Sequence, residues 1–405
     1  MVTGMQGRAE MPELKILLGG IPLGCDNIGD EAILGCFTSL VRRLAPRAEI
    51  TVCTAAEEDT AALLGVKTAP LYGFTREHPV SSFGRFVRKF DRYIWCGATG
   101  LSDYPAVGAG LLEAAQKQRV ECVVWGVGMN SELNPAFFSI AGMRRKLLRA
   151  AELLTFGRVP FIDRCETRLD SRMRQRLAAA LKGCSLVVVR DPQTAEELRR
   201  SGFDSAVVGA DSAILQRTGK IPLVDREQVR IGFCVSAQRS IGQRAELLAL
   251  WNRLTGRENY RLVLIPMNPK TDSALMRGLA SGLEHPERAI LLNVTRPAEA
   301  QAAAASCRVV VSSRLHLLIL AANVGTPIIG IDRGSKIANF LAAFGLAPAG
   351  SVDDCDFSAV ERGVEAYLAD GGDAFRRAAE AARDRMLARL AAAEQLLEAN
   401  LTGGA

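Results

Sequence analysis

The sequence predicts an α/β protein with two doubly wound parallel sheets and a cleft between them. Short runs of β-branched and apolar residues alternate with amphipathic helical stretches along most of the 405 residues, a pattern typical of βαβ units. A polar stretch over 216–228 carries Gly219 and Pro222 and has neither the helical nor the strand periodicity of apolar residues. It divides this alternation into two parts. With 48% apolar and 23% charged residues, the chain has enough apolar side chains for two buried cores.

Six strands are predicted before the polar stretch, with helices between them. The β-rich runs cover 15–18, 49–53, 93–96, 122–127, 186–190 and 206–208. Helical periodicity covers 30–44, 108–119 and 194–201. We therefore assign 11–215 to an N-terminal domain, preceded by a disordered leader at 1–10.

A second alternation follows the linker at 216–228 and assigns 229–370 to a C-terminal domain. Its strands are predicted at 230–235, 260–266, 289–292, 309–311 and 328–331. Its helices are predicted at 244–255, 271–283, 297–305 and 316–324. The last segment, 371–405, is a long helix with one apolar stripe that must pack on another surface. The body of the same chain is the simpler partner, and another subunit is the alternative.

Composition argues against several kinds of partner and site. The net charge of +6 is small and dispersed, which does not favour a nucleic-acid partner. The ten cysteines contain no C-x-x-C pair and several lie in apolar runs, as reduced thiols do in cytosolic proteins. Since His78, His285 and His316 stand apart from these cysteines, no metal site is predicted.

No run reaches the roughly 18 consecutive apolar residues that a membrane-spanning helix needs. The sequence therefore predicts a cytoplasmic protein. A peripheral position at the inner face of the cytoplasmic membrane stays open, and so does the oligomeric state.

The loop after the first predicted strand is a candidate ligand contact. Gly29 permits a tight backbone, while Asn27 or Asp30 can cap the helix that follows. The amide groups of such a helix start suit a hydroxyl-rich ligand, and the acidic residues there argue against a phosphate. Helix capping alone is the alternative.

A second loop, over 97–103, also follows a predicted strand. Gly97 and Gly100 let a ligand approach the backbone, and Asp103 can hydrogen-bond a hydroxyl or take its proton. An ordinary helix cap explains the same residues.

Cationic side chains are predicted at the ends of buried strands. Arg190 ends an apolar strand and needs compensation from Asp191 or from a bound phosphate or carboxylate. A later strand delivers Arg314 and His316 together to the cleft, where a histidine can exchange protons near neutral pH. Lys336 follows the next strand and either reaches the same cleft or lies in a solvated loop.

Two basic surfaces have alternative interpretations. Over 83–93, aromatic residues at helical spacing are interleaved with Arg and Lys, as in an interfacial helix or a helix packed on its own sheet. Residues 144–176 contain ten Arg or Lys against four Asp or Glu. This segment suits an anionic leaflet or a diphosphate-linked lipid, or it is a solvated face.

Taken in order, several segments resemble the polysaccharide pyruvyl transferase family. They are Asn27-Ile28-Gly29-Asp30-Glu31-Ala32-Ile33-Leu34, the glycine-containing 97–103 loop, Val189-Arg190-Asp191, Gly209-Ala210-Asp211 and Ser313-Arg314-Leu315-His316. The resemblance implies two Rossmann-like domains in a GT-B-like arrangement with an interdomain cleft, the C-terminal helix returning to the N-terminal domain. It also implies transfer of pyruvate from phosphoenolpyruvate to two sugar hydroxyls of a cell-envelope or exopolysaccharide unit, forming a cyclic ketal.

The resemblance further implies roles for single residues. Arg314 and His316 occupy the family's active-centre Arg-Leu-His positions, with His316 catalytic. Arg190 and Lys336 join Arg314 in donor binding, and Asp103 is catalytic on the acceptor side. No cofactor or metal is implied, only phosphoenolpyruvate as co-substrate. The implied partner is a saccharide acceptor, either free or linked to a polyprenyl diphosphate. Peripheral contact of the protein with an anionic membrane is a separate expectation.

The chain departs from the family pattern in two places. Three consecutive glycines are usual in the loop that here reads Gly97-Ala98-Thr99-Gly100, and Asp332 replaces an aromatic residue before Lys336. Two other functions therefore stay open. One is a GT-B glycosyltransferase with a nucleotide-sugar donor, and the other is an inactive saccharide-binding paralogue.

Overall fold

The computed structural model describes residues 13–156, 158–221 and 227–403. Within these ranges the chain forms two fully parallel sheets surrounded by helices, so the predicted α/β class is confirmed. We call the units built on these sheets the first and second domains. The leader predicted at 1–10 and the linker residues 222–226 lie outside the described residues.

The first sheet has seven strands in the described residues, in the order β3-β2-β1-β4-β5-β6-β7. The strands are β1 Lys15–Gly19, β2 Glu49–Thr54, β3 Lys67–Pro70, β4 Arg92–Cys96, β5 Glu121–Val127, β6 Leu186–Val189 and β7 Val207–Val208. The strand β3 was not predicted, because a four-residue edge strand with one buried side chain carries no apolar alternation.

The second sheet has five strands in the described part of the chain, in the order β10-β9-β8-β11-β12. The strands are β8 Val229–Cys234, β9 Tyr260–Leu264, β10 Ala289–Leu291, β11 Val309–Ser312 and β12 Ile328–Gly330. In both sheets, the order reverses beside the first strand, between β1 and β4 and between β8 and β11. Such switch points open a crevice at the carboxyl ends of the strands.

The helices cover both sheets. Those of the first domain are α1 Ile28–Leu44, α2 Glu57–Leu64, α3 Val80–Val87, α4 Gly100–Asp103, α5 Pro105–Lys117, α6 Gly142–Leu154, α7 Phe161–Lys182 and α8 Pro192–Arg200. Those that follow are α9 Arg244–Thr255, α10 Asp272–Ala280, α11 Pro297–Ala305, α12 Leu315–Asn323, α13 Lys336–Ala342, α14 Phe357–Ala369 and α15 Asp373–Thr402.

Helix α1 lies between the two cores. Asn27 caps it, its side-chain oxygen accepting a hydrogen bond from the Gly29 amide at 3.3 Å. One face carries Ile28, Ala32 and Ile33 into the core of the second domain. The opposite face packs Phe37 and neighbouring apolar residues into the core of the first. The start of α1 is therefore fixed at the interface between the domains.

Helix α15 also contacts both cores. Near its start, Phe375 and Ala379 pack in the second domain. Further along, the apolar stripe packs into the core of the first domain through Met386, Leu390, Ala393, Leu397 and Leu401. The burial of these side chains, spaced at i, i+3, i+4, is what holds the helix on the body of the chain.

The aromatic and basic segment over 83–93 does not form one helix. Helix α3 ends at Val87, and Tyr93 belongs to β4. Phe83 and Val87 are fully buried in the first core, so this helix packs on its own sheet. No helix in the described residues is long and apolar enough to cross a bilayer.

Candidate functional site

The switch points of the two sheets face each other across the domain interface. Loops after β1, β4 and β6 come from the first domain, and loops after β8, β9, β11 and β12 come from the second. Together they enclose a polar cavity of about 130 Å³. Its charged lining residues are Asp30, Asp103, Arg190, Arg314, His316, Arg333 and Lys336. The cavity is therefore an interdomain site at the carboxyl edges of both sheets.

Arg314 is held by a carboxylate of its own domain. Its Nε and Nη2 donate to the two oxygens of Asp272 at 3.1 and 2.8 Å. Its Nη1 donates to Gln238 Oε1 at 3.2 Å. Asp272 is fully buried and also accepts hydrogen bonds from two backbone amides. This bidentate pairing fixes the guanidinium plane at the cavity wall.

His316 reaches across the interface to the first domain. It lies in the first turn of α12, and its Nε2 is 3.6 Å from Asp211 Oδ2, an ion-pair distance beyond a direct hydrogen bond. On its other side the ring packs on Gly29, where an added Cβ would overlap the imidazole. The absence of a side chain at Gly29 thus gives His316 its position.

Asp211 lies between His316 and Arg190. Its Oδ2 is 3.8 Å from Arg190 Nη1, and its Oδ1 accepts a hydrogen bond from Ala213 N at 3.0 Å. Burial opposes ionisation of this carboxyl, but His316 and Arg190 outweigh burial and lower its pKa. The Asp211 carboxylate therefore lies between the Arg190 guanidinium of its own domain and the His316 imidazole of the other.

Arg190 has an unpaired nitrogen at the cavity. Its Nε donates to Asp191 Oδ2 at 3.1 Å, while its buried Nη2 has no hydrogen-bond partner among the described residues. The guanidinium lies on Gly128, where a Cβ would overlap it. A buried donor without a partner costs free energy, which a bound anion would offset.

Lys336 and Arg333 bring further positive charge. The Lys336 ammonium is 3.4 Å from Thr99 Oγ1 and 3.9 Å from Asp103 Oδ2. Burial lowers the pKa of Lys336 to about 8. The neighbouring arginines also lower this pKa, whereas Asp103 raises it. Burial also lowers the pKa of Arg333 to about 10. An anionic ligand would relieve this crowding of cations.

The glycine-containing loop after β4 is bent sharply away from its strand. Gly97 has φ 76° and Ala98 has φ 58°, so two successive residues adopt the left-handed conformation. A Cβ on Gly97 would overlap Ile33, and one on Gly100 would approach Trp95. The bend brings Thr99 and Asp103 to the cavity.

Asp103 and Asp30 form the acidic side. Asn130 Nδ2 donates to Asp103 Oδ1 at 3.4 Å, and Asn134 Nδ2 donates to the Asp103 carbonyl at 3.0 Å. Asp30 accepts from Asn27 Nδ2 at 2.6 Å. Burial raises the pKa of Asp30, although His316 and Asn27 oppose the shift. A carboxyl of this kind can hold a proton more readily than an exposed one.

Most of the residues predicted from the sequence meet at this cavity. Those that line it are Asn27, Asp30, Gly100, Asp103, Arg190, Arg314, His316 and Lys336. Gly29 and Gly97 are absent from the lining and act through the packing described above. Asp211, Arg333 and Gln238 also belong to this region and were not predicted from the sequence. Each follows a strand, and the carboxyl ends of parallel strands share one edge of a sheet, which is the signal that indicates their position.

A second, larger cavity adjoins the first. Its volume is about 570 Å³, and both cavities share Arg190, Leu315 and Lys336. An apolar wall includes Ile319, Phe340 and Met386, and Arg385 and Arg389 of α15 lie on the same cavity. Ligand pockets commonly measure about 300–1,000 Å³, so this chamber has the size for a larger ligand than its neighbour.

Among the described residues, no group of three or more His, Cys, Asp or Glu side chains is arranged to hold a metal ion. The ten cysteines are free.

Comparison with known proteins gives a family and a fold. The model of the polysaccharide pyruvyl transferase family matches residues 27–335. None of the curated proteins matches the chain.

Several solved structures resemble this one over nearly their whole length. A putative UDP-N-acetylglucosamine 2-epimerase from Listeria monocytogenes has 13% identity and a TM-score of 0.63, covering 97% of this chain and 98% of its own. The UDP-N-acetylglucosamine 2-epimerase from Neisseria meningitidis bound to UDP-N-acetylglucosamine has 13% identity and a TM-score of 0.58, and the match covers 96% of this chain and 100% of the epimerase. HepE of Anabaena in complex with UDP and glucose has 13% identity and a TM-score of 0.57, and the match covers 96% of this chain and 100% of HepE. These likenesses confirm the GT-B arrangement of two Rossmann-like domains.

Proposed function

The chain belongs to the polysaccharide pyruvyl transferase family, and from this premise we propose that it transfers pyruvate from phosphoenolpyruvate to two hydroxyls of a saccharide, forming a cyclic ketal. The saccharide is a cell-envelope or exopolysaccharide unit, free or linked to a polyprenyl diphosphate. The proposal rests above all on one observation. Arg190, Arg314 and Lys336 converge on a small cavity beside the His316–Asp211 pair.

The donor chemistry fits the cations of the small cavity. Phosphoenolpyruvate carries a phosphate and a carboxylate, and both suit guanidinium and ammonium groups. Arg190 offers a buried nitrogen without a partner. Arg314 offers a guanidinium whose plane Asp272 fixes. Lys336 and Arg333 add charge that is under-compensated in the free protein. These groups bind the donor and stabilise the departing phosphate.

The reaction needs one group that gives a proton and later accepts one. Protonation of the donor methylene carbon makes its neighbouring carbon electrophilic, and the first hydroxyl adds there with loss of its proton. Phosphate then leaves as hydrogen phosphate, carrying the proton that the first hydroxyl lost, and the carbon becomes electrophilic again. The second hydroxyl closes the ketal with loss of its own proton. We assign the protonation of the methylene carbon to His316, held by Asp211, and the proton of the second hydroxyl restores His316.

The acceptor enters from the acidic side. Asp103 accepts the hydrogen bond or the proton of an attacking hydroxyl, with Asn27 and Asp30 nearby. The cavity of about 570 Å³ that opens beside Arg190 and Lys336 has room for the rest of a saccharide. Since phosphoenolpyruvate is a cytoplasmic metabolite, the proposal includes a cytoplasmic location. It requires no cofactor and no metal.

The test is donor preference, measured by thermal shift with phosphoenolpyruvate, UDP-sugars and GDP-sugars. A ligand that binds only the folded state raises the unfolding temperature. We expect phosphoenolpyruvate, and neither kind of nucleotide sugar, to raise the unfolding temperature. In the Lys336→Met variant, phosphoenolpyruvate should raise it less. Lys336 is the suitable variant because its nearest carboxylate oxygen, Asp103 Oδ2, is 3.9 Å away, whereas Arg314 supports a buried, bidentate ion pair with Asp272.

Other outcomes identify other functions. A response to nucleotide sugars only would indicate a glycosyltransferase, the candidate that the UDP-bound structures of the same fold favour. Binding of saccharide without phosphate release from phosphoenolpyruvate would indicate an inactive paralogue.

A further inference from the structure

Helix α6 carries a row of large apolar side chains that face solvent. None of its residues is buried. Met143 is 70% exposed, Leu147 65% and Leu154 82%. Exposed apolar residues scattered singly are ordinary, but a contiguous group on one helix marks an interaction surface.

The spacing makes these side chains a single stripe. Met143, Leu147, Ala150 and Leu154 follow one another at i, i+4, i+7 and i+11, which places them along one face of the helix. Leu153 lies beside this face and is 72% exposed. We call these five residues the α6 stripe.

The opposite face of α6 is attached to α7. Glu152 Oε1 accepts a hydrogen bond from Ile162 N at 2.9 Å, and Arg145 pairs with Glu166 at 3.2 Å. Leu148 and Ala151 on this side are partly shielded. The remote part of α7 buries Leu177 and Leu181 in the first core. The α6 stripe is therefore presented outward on a helix hairpin that the domain supports.

Basic side chains flank the α6 stripe on both sides. Lys146 and Arg149 lie along one border, Arg144 lies along the other, and all three are exposed. Glu152 is the one acidic residue of α6, and its side chain already contacts the next helix. An apolar face between basic borders is the pattern of a helix lying in the headgroup region of an anionic bilayer.

We propose that the α6 stripe docks this protein on an anionic lipid surface, with the apolar side chains entering the bilayer and the flanking cations contacting lipid phosphates. The inference does not depend on the reaction proposed above. Charge complementarity selects the lipid over a second copy of the chain. Pairing two copies through this face would bring their Arg144, Lys146 and Arg149 together without acidic partners on α6.

The experiment measures binding of the full chain to vesicles by co-sedimentation. Vesicles of equimolar phosphatidylglycerol and phosphatidylcholine are compared with vesicles of phosphatidylcholine alone. We expect binding to the anionic vesicles that weakens as salt is raised, because the flanking charges are exposed. Each cation near the surface contributes on the order of fivefold to the binding constant.

The double variant Leu147→Glu with Leu154→Glu places two negative charges in the α6 stripe. We expect it to bind at least about tenfold more weakly. The matched control is Leu63→Glu, since Leu63 is 50% exposed on α2, and its binding should equal that of the unmodified chain. Circular dichroism and the thermal unfolding temperature without ligand check that both variants fold.

A fluorescence measurement gives an independent readout. Trp95, Trp125 and Trp251 are fully buried, so an added Leu154→Trp reports on its own surroundings. Its emission should shift to shorter wavelength with anionic vesicles and stay unchanged with neutral ones.

Two results would overturn the proposal. One is equal binding of the unmodified chain and the double variant. The other is a dimer in solution that the double variant dissociates, with no vesicle binding, which would assign the α6 stripe to a second copy.

Discussion

The two walls of the small cavity differ in charge. The first domain lines the cavity with the carboxylates of Asp30 and Asp103, whereas the second lines it with Arg314, His316, Arg333 and Lys336. Asp211 of the first domain lies outside this lining, with its Oδ2 3.6 Å from His316 Nε2. Arg190 is the exception, a cation that the first domain holds between Asp191 and Asp211. Domain contact thus brings a mostly acidic wall against a mostly basic one.

Burial acts on these walls in opposite directions. It raises the pKa of Asp30 and lowers the pKa of Lys336, so each wall is moved toward its uncharged form. Asp211 departs from this trend because His316 and Arg190 beside it lower its pKa in spite of burial. The ionised form is therefore favoured at Asp211, which has Arg190 and His316 beside it, and disfavoured at Asp30 and Lys336, where burial outweighs the neighbouring groups.

The largest effect on catalysis is expected where the walls meet. His316→Ala should lower kcat by about 10²- to 10⁴-fold, since it removes the group proposed to move protons. Phosphate release from phosphoenolpyruvate in the presence of acceptor measures it. His285→Ala is the control, because His285 is half-exposed and outside the cavity. Activity close to that of the unmodified chain would remove His316 from the mechanism.

A large effect on stability is expected behind the basic wall. Asp272→Asn leaves the buried charge of Arg314 without its counter-ion, which should lower the free energy of unfolding by about 3–5 kcal/mol. The matched control is Asp353→Asn, since the Arg239–Asp353 pair is exposed, and it should cost less than about 1 kcal/mol. Urea denaturation of the three proteins measures the difference. Equal losses would mean that Arg314 is not held by Asp272.

A smaller effect is expected at Lys336, on the basic wall of the cavity. Lys336→Met should weaken phosphoenolpyruvate binding by about 10- to 100-fold, because one contact to a charged group is worth about 1.5–3 kcal/mol. The fold should be kept, since the change removes a buried charge. Lys270→Met is the control, as Lys270 is exposed and pairs with Asp26. Titration by thermal shift or calorimetry measures the affinity.

The pH dependence of donor binding tests the same lysine. With a pKa of about 8, Lys336 is charged below that pH and neutral above it. Donor affinity should therefore be full at lower pH and decline as the pH rises through about 8. This decline should be missing in Lys336→Met. A decline of the same size in the variant would assign it to another group.

The smallest effect is expected at the loop that supports the acidic wall. Ala98 has φ 58°, a conformation that costs a residue with a Cβ about 1–2 kcal/mol. Ala98→Gly removes this strain but gives the unfolded chain more freedom. We expect a net gain of about 0.5–1 kcal/mol in the free energy of unfolding. A loss of stability would show that the methyl group of Ala98 contributes packing that outweighs the strain.

The sequence was informative about elements and about which loops carry chemistry. Buried parallel strands such as β5 and β11 are continuous apolar runs, and helices such as α9 and α11 have the bounds that periodicity predicted. Because polar residues after such strands reach one edge of a sheet, eight of the ten proposed residues line one cavity.

Other features depend on contacts that leave no local pattern. Asp272 pairs with Arg314 across 42 positions of sequence, and no periodicity connects them. Asp211 gains its place beside His316 only when the two domains meet. The exposed stripe of α6 and the buried face of α3 have similar amphipathic sequences. Only the packing of α3 on the first sheet distinguishes them.

Helix α15 has a mechanical consequence. The chain crosses from one domain to the other at the linker and returns along this helix, which is anchored in both cores through Phe375 at one end and Leu397 at the other. Helix α1 also packs into both cores, so twisting or sliding of one domain past the other would pull apolar side chains out of a core. These shared helices therefore fix the register in which His316 of one domain meets Asp211 of the other.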